Sequence, residues 1–151
     1  MTAGTRGPRP APGCDRGSVL MLVPAGLLIV LIMASIAVDM SLVHLRQRQA
    51  YDLAAGAAND AATAALDPSS VRSQRLVADH DLAVAVVDRV VAASDLAPEV
   101  VGAPVVRVED GRVEVAISLR ADYIFARAIP GAADGMTVTA TASALAARPP
   151  A

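Results

Sequence analysis

Residues 18–38, SVLMLVPAGLLIVLIMASIAV, contain no charged side chain; Arg16 stands just before the run and Asp39 just after it. As a helix rising about 1.5 Å per residue, the run covers roughly 31 Å. A bilayer's hydrocarbon core is about 30 Å thick. The apolar region of a secretory signal peptide is shorter, about 7–15 residues. Length therefore favours an anchor that stays in lipid. Ser35-Ile36-Ala37 is a small-x-small triplet of the kind signal peptidase accepts. It keeps open a second reading, a secreted soluble binding domain released after Ala37.

Outside the run, Arg6, Arg9 and Arg16 lie on the N-terminal side, and Arg46 and Arg48 on the C-terminal side with Asp39 between. The positive-inside rule then places the N-terminus in the cytoplasm and the body of the protein outside it. Pro24 falls one to two turns into the run, where a lipid-buried helix tolerates a local kink. Residues 1–17, with several Pro and Gly, read as a disordered cytoplasmic leader.

The helix is predicted to continue past Asp39. Residues 39–66 contain no Pro, and Leu42, Leu45, Ala50, Leu53, Ala54, Ala57, Ala58, Ala61 and Ala65 recur at i, i+3, i+4 spacing. This Ala-rich stalk would let a neighbouring helix come close, and Ala54, Ala57, Ala58 and Ala61 are the expected helix-packing interface. Arg46, Arg48, Asp52, Asn59 and Asp60 occupy the other side. Gly56 costs about 1 kcal/mol of helix propensity relative to Ala and marks a candidate bend. Asp67-Pro68-Ser69-Ser70 ends the stalk. A second helix follows, capped by Ser69 or Ser70, with Val71, Ala78, Leu82, Val86, Val90 and Ala93 as its apolar stripe.

The last third reads as strands. In VVRVEDGRVEVAISL, Asp110-Gly111 between alternating segments is the signature of a two-residue type I′ hairpin. Setting Glu109 opposite Arg112 sets Val108 opposite Val113, Arg107 opposite Glu114 and Val106 opposite Val115. The valines then share one face and two opposite-charge pairs the other. A one-residue slip destroys both patterns. YIFARAIPGAADG is a connection or short helical turn. MTVTATASALA is a third strand, with Thr137, Thr139, Thr141 and Ser143 on one face and Val138, Ala140, Ala142 and Ala144 on the other. The expected fold is α+β: a transmembrane helix at 18–38, a helical stalk at 39–66, an extracytoplasmic domain at 67–146 with a second helix and a small three-stranded antiparallel sheet, and a frayed tail at 147–151.

Composition narrows the function. The chain is 54% hydrophobic and 2% aromatic, so its apolar surface is aliphatic. Net charge is -2 and every basic residue is Arg, with no basic stripe for phosphate, which argues against nucleic acid as a partner. The single cysteine, Cys14, cannot form an intrachain disulfide. Asp79-His80-Asp81 has two carboxylates at i, i+2, which point to different sides of a helix, and acids near a helix start are expected from its dipole. His44, with Asp39, reads as an interfacial residue just outside the membrane. No nucleophile stands beside a base, and no phosphate-cradling glycine loop or C-x-x-C occurs. The expectation is a non-enzymatic protein with no catalytic residue, metal or cofactor.

Taken in order, these features resemble the TadE/TadG-like proteins of bacterial Flp (tight-adherence) pilus systems. The resemblance lies in Arg16-Gly17-Ser18 leading into one apolar helix that ends Ala37-Val38-Asp39. The Ala-rich RQRQAYDLAAGAANDAATAAL at 46–66 continues it, as do RVEVAISLRADYIFARAIPG and MTVTATASALA. It implies a pilin-like membrane component of a pilus-assembly or secretion apparatus. Its partners would be the lipid bilayer and other membrane proteins of that apparatus, in homo- or hetero-oligomers. It also implies processing between Gly17 and Ser18. Leu22 stands where processed pseudopilins carry Glu, and TadG-like members commonly lack that signal. A membrane-anchored adaptor unrelated to pili is a further alternative.

Overall fold

The computed structural model describes residues 16–64 and 79–146, with side chains from residue 22 onward. The first helix, α1, is continuous over Arg16–Ala64, with Pro24 inside it. The chain divides into two units, Met1–Ser35 and Ile36–Ala151. In the first, the described side chains of α1 from Leu22 to Ala34 are apolar and exposed on every side. Leu27 to Met33 are seven consecutive large aliphatics, each 51–68% exposed. At 100° per residue these seven point in all directions around the axis. Ser35 turns its hydroxyl back to the Ile32 carbonyl at 2.7 Å, so its polar group is satisfied within the helix.

The second unit holds the rest of α1, helix α2 (His80–Ala92), and strands β1 (Val105–Glu109), β2 (Arg112–Asp122) and β3 (Gly135–Leu145). The sheet is antiparallel in the order β1-β2-β3. The hairpin register is the one that valine alternation dictates: Glu109 faces Arg112, Val108 faces Val113, Arg107 faces Glu114 and Val106 faces Val115. Asp110 and Gly111 take φ of 48° and 73°, the left-handed pair that a type I′ turn needs. On the polar face Arg107 and Glu114 approach to 3.4 Å. Arg112 instead donates to Ser143 Oγ on β3 at 2.9 Å. Ser118 and Thr139 share a hydroxyl bond of 2.8 Å across β2 and β3.

The core lies on the other face. Val113, Val115, Ile117 and Leu119 of β2 are fully buried, and Val138, Ala140 and Ala142 of β3 are nearly so. They form one cluster with Ala50, Ala54, Ala57, Ala58 and Ala61 of α1 and with Ala83, Val87 and Val91 of α2. The sheet and α2 supply the bulk, and α1 supplies small side chains that leave room for it. A two-residue period in the strands and an i, i+4, i+7, i+8, i+11 series in α1 produce this division.

Three expectations change. Gly56 interrupts nothing, since α1 runs through it. The buried line of α2 is Ala83, Val87 and Val91, while Val86 and Val90 of the expected stripe are partly buried against the same core; Leu82 is 44% exposed, and Ala93 is the C-cap rather than a core residue. The contact of α2 with β1 fixes that line. Asp79 is the N-cap, accepting from the backbone N–H of Asp81 at 2.9 Å and of Leu82 at 3.3 Å. Ser69, Ser70, Val71 and Ala78 lie outside the described residues.

Candidate functional site

One charged side chain is buried among the described residues: Asp39, 4% exposed, in the turn of α1 that directly follows the charge-free run. Its Oδ1 accepts from the backbone N–H of Ile124 at 2.9 Å and of Phe125 at 3.1 Å, and its Oδ2 accepts from Ala126 at 2.9 Å. These three successive N–H groups open the 3-10 turn Ala126–Ala128, which follows β2. Phe125 has helical dihedrals, φ -93° and ψ -41°, which help to aim the amides the same way. The carboxylate therefore caps this turn from an element 85 to 87 residues away in sequence.

Electrostatics follow from this geometry. Burial opposes ionisation of Asp39. The bonds from Phe125, Ala126 and Ile124 outweigh it and hold the carboxyl below the ordinary aspartate value of 3.8. A buried carboxylate is stable when it accepts hydrogen bonds in this way. His44, expected beside Asp39, is exposed. It lines a groove of about 420 Å³ with Arg48, Tyr51 and Thr139–Thr141. A second tie lies further along α1, where Arg46 meets Glu99 of the Ala97–Glu99 turn through its two terminal nitrogens, Nη2 donating to Oε1 at 2.9 Å and Nη1 facing Oε2.

The alanines singled out from the sequence have a different use from the one expected. Ala54, Ala57, Ala58 and Ala61 have no exposed surface, and all four belong to the cluster shared with the chain's own sheet. In this chain the cluster that covers them also includes Ala83, Val87 and Val91 of α2. The i, i+3, i+4 pattern identifies a buried face but says nothing of whether its cover comes from the same chain. Gly17 and Ser18 fall in the first turn of α1. Cys14 lies outside the described residues.

The Asp39 site was not identified from sequence. The available signal was an acid set at the very end of an apolar run, where a charge is costly without partners. Its partners are backbone groups, which no side-chain pattern announces. Chemically the arrangement can position and hold a turn. Among the described residues no three His, Cys, Asp or Glu side chains converge as metal ligands. No family model, curated protein or solved structure matches the chain.

Proposed function

We propose that the protein is a non-enzymatic, single-pass membrane component of a Flp/Tad-type pilus or related secretion apparatus, with the N-terminus inside and the α+β unit extracytoplasmic. One observation carries the membrane part of this reading: α1 is long and apolar enough to cross a bilayer, and Leu27 to Met33 expose aliphatic side chains in every direction. A helix apolar all round is stable in lipid or in a large core, and this stretch has little cover from its own chain. The pilin-like part is supported by the order of elements, one long N-terminal helix whose second half underlies an antiparallel sheet. It is supported too by the motif order from Arg16-Gly17-Ser18 to the last strand.

Recovery of the protein from its host, with intact mass and carbonate extraction, tests the reading. The expected result is a carbonate-resistant polypeptide beginning near Met1 or at Ser18. A soluble polypeptide beginning at Val38 overturns it in favour of a secreted domain. Copurification with a secretion ATPase and paired membrane platform proteins is expected for the apparatus role. Its absence from a membrane-retained protein favours an unrelated adaptor.

A further inference from the structure

The Asp39 contact ties a second segment to the first residue beyond the apolar run. Asp39 is one residue beyond that run, and its carboxylate binds the amides of Ile124, Phe125 and Ala126. The amides of those residues are therefore held against the turn of α1 that directly follows the run. Their side chains are apolar and uncovered. Ile124 is 52% exposed, Phe125 47% and Ile129 62%. Val38 and Met40, which flank Asp39 on α1, are also exposed. Arg127 is exposed in the same short turn.

We propose that the 124–129 loop is a membrane-seating loop. It rests in the headgroup region, with Ile124, Phe125 and Ile129 against the upper acyl chains and Arg127 beside lipid phosphates. This inference rests on the reading of residues 18–38 as a bilayer-spanning helix. Three features select lipid over another occupant. The loop lies at the depth of the interface because Asp39 ties it there. Its residues are of the type that partitions at interfaces, one aromatic and aliphatics with a cation among them. Most of the sheet's outward face, by contrast, is built from Thr, Ser, Arg and Glu, and its exposed apolar side chains Val105 and Leu145 are separate residues on different strands. Asp39 acts as a positioning residue: it fixes the turn whose apolar side chains meet the bilayer.

The test uses the full chain with Cys14→Ser, reconstituted in vesicles of phosphatidylcholine and phosphatidylglycerol at 3:1. Single cysteines at Phe125→Cys, Ile129→Cys, Glu109→Cys and Leu27→Cys carry an environment-sensitive fluorophore. Melting of each labelled protein first verifies that the second unit is folded. Nitroxide placed shallow in the acyl chain is expected to quench the labels at 125 and 129 at least threefold more than the label at 109. Adding Asp39→Ala is expected to reduce that quenching at least twofold. Labels at 125 and 129 quenched no more than 109, while deep nitroxide quenches the label at 27, overturn the seating loop and leave the anchor intact. Labels shielded from aqueous iodide yet not quenched by lipid also overturn it, and point to a protein cover. No quenching at 27 overturns both readings.

Discussion

Asp39 shows how one side chain joins distant parts of the chain. Three backbone donors converge on a buried carboxylate, and bonds to a charged acceptor are stronger than neutral ones. Asp39→Ala is expected to raise hydrogen exchange at the amides of Ile124, Phe125 and Ala126 by at least about tenfold. It should lower the melting temperature by ~5 °C or more. Asp39→Asn should have a smaller effect, since one acceptor oxygen remains. The pH dependence has a definite sign. The folded carboxyl titrates below 3.8, so near pH 4 the unfolded state binds more protons. The stabilisation is present above the ordinary aspartate value and is lost as pH falls through the lowered folded value. Melting temperature should therefore drop on acidification below about pH 4, and the drop should be shallower in Asp39→Asn. An identical acid limb in both proteins would refute the assignment. At another position the constraint is steric. A Cβ added at Gly135 would collide with the Ala121 carbonyl oxygen and lie 2.9 Å from Asp122 Cα. Both are backbone atoms of the paired strand, so the neighbour cannot swing away.

Among the elements, α1 has two different halves. Its N-terminal half is apolar all round; from Ala50 onward it has a single buried face made of alanine. Overpacking that face forces the sheet away from it, at a typical cost of 1–3 kcal/mol. Ala57→Leu is expected to destabilise the second unit by about that amount in a denaturant melt, and Ala57→Leu with Ala61→Leu by more. The exposed side of the same helix behaves oppositely. Gly56 is exposed, and a Cβ there meets nothing within 4 Å. Gly56→Ala should stabilise by ~0.5–1 kcal/mol, a gain readable in the same melt. The hairpin was fully legible in sequence because alternation, turn chemistry and charge pairing agreed on one register. The rotation of α2 was not. Its sequence holds valines at 86, 87, 90 and 91, so two adjacent stripes are equally apolar, and packing against β1 chooses between them.

For the whole molecule, anchoring in the proposed reading depends on the Leu22–Val38 surface, whereas stability of the second unit depends on the cluster built from Ala50 onward. The two should be separable by mutation. Leu28→Asp with Ile32→Asp places two charges near the middle of the apolar run, each costing roughly 2.5–3.5 kcal/mol in helix insertion. The carbonate-resistant fraction is expected to collapse, while the second unit, once purified, keeps its melting temperature within a degree or two. Ala57→Leu should show the reverse, a lower melting temperature with membrane retention unchanged. A charged pair that left the protein in the membrane would defeat the anchor reading.

The sequence alone settled the features that depend on local period and composition: a continuous apolar helix, an Ala-rich continuation, a type I′ hairpin in a definite register and a third antiparallel strand. These repeat every two or three to four residues, and hydrophobic burial makes any other phase costly. Only the tertiary structure decided which surfaces meet. It placed the alanines in one core with the chain's own sheet and α2, and it set the fully buried line of α2 at Ala83, Val87 and Val91. It also brought the amides of residues 124–126 onto Asp39. Each is a contact between groups far apart in the chain, selected by how the whole core fills, and backbone amides carry no residue-specific mark in a sequence.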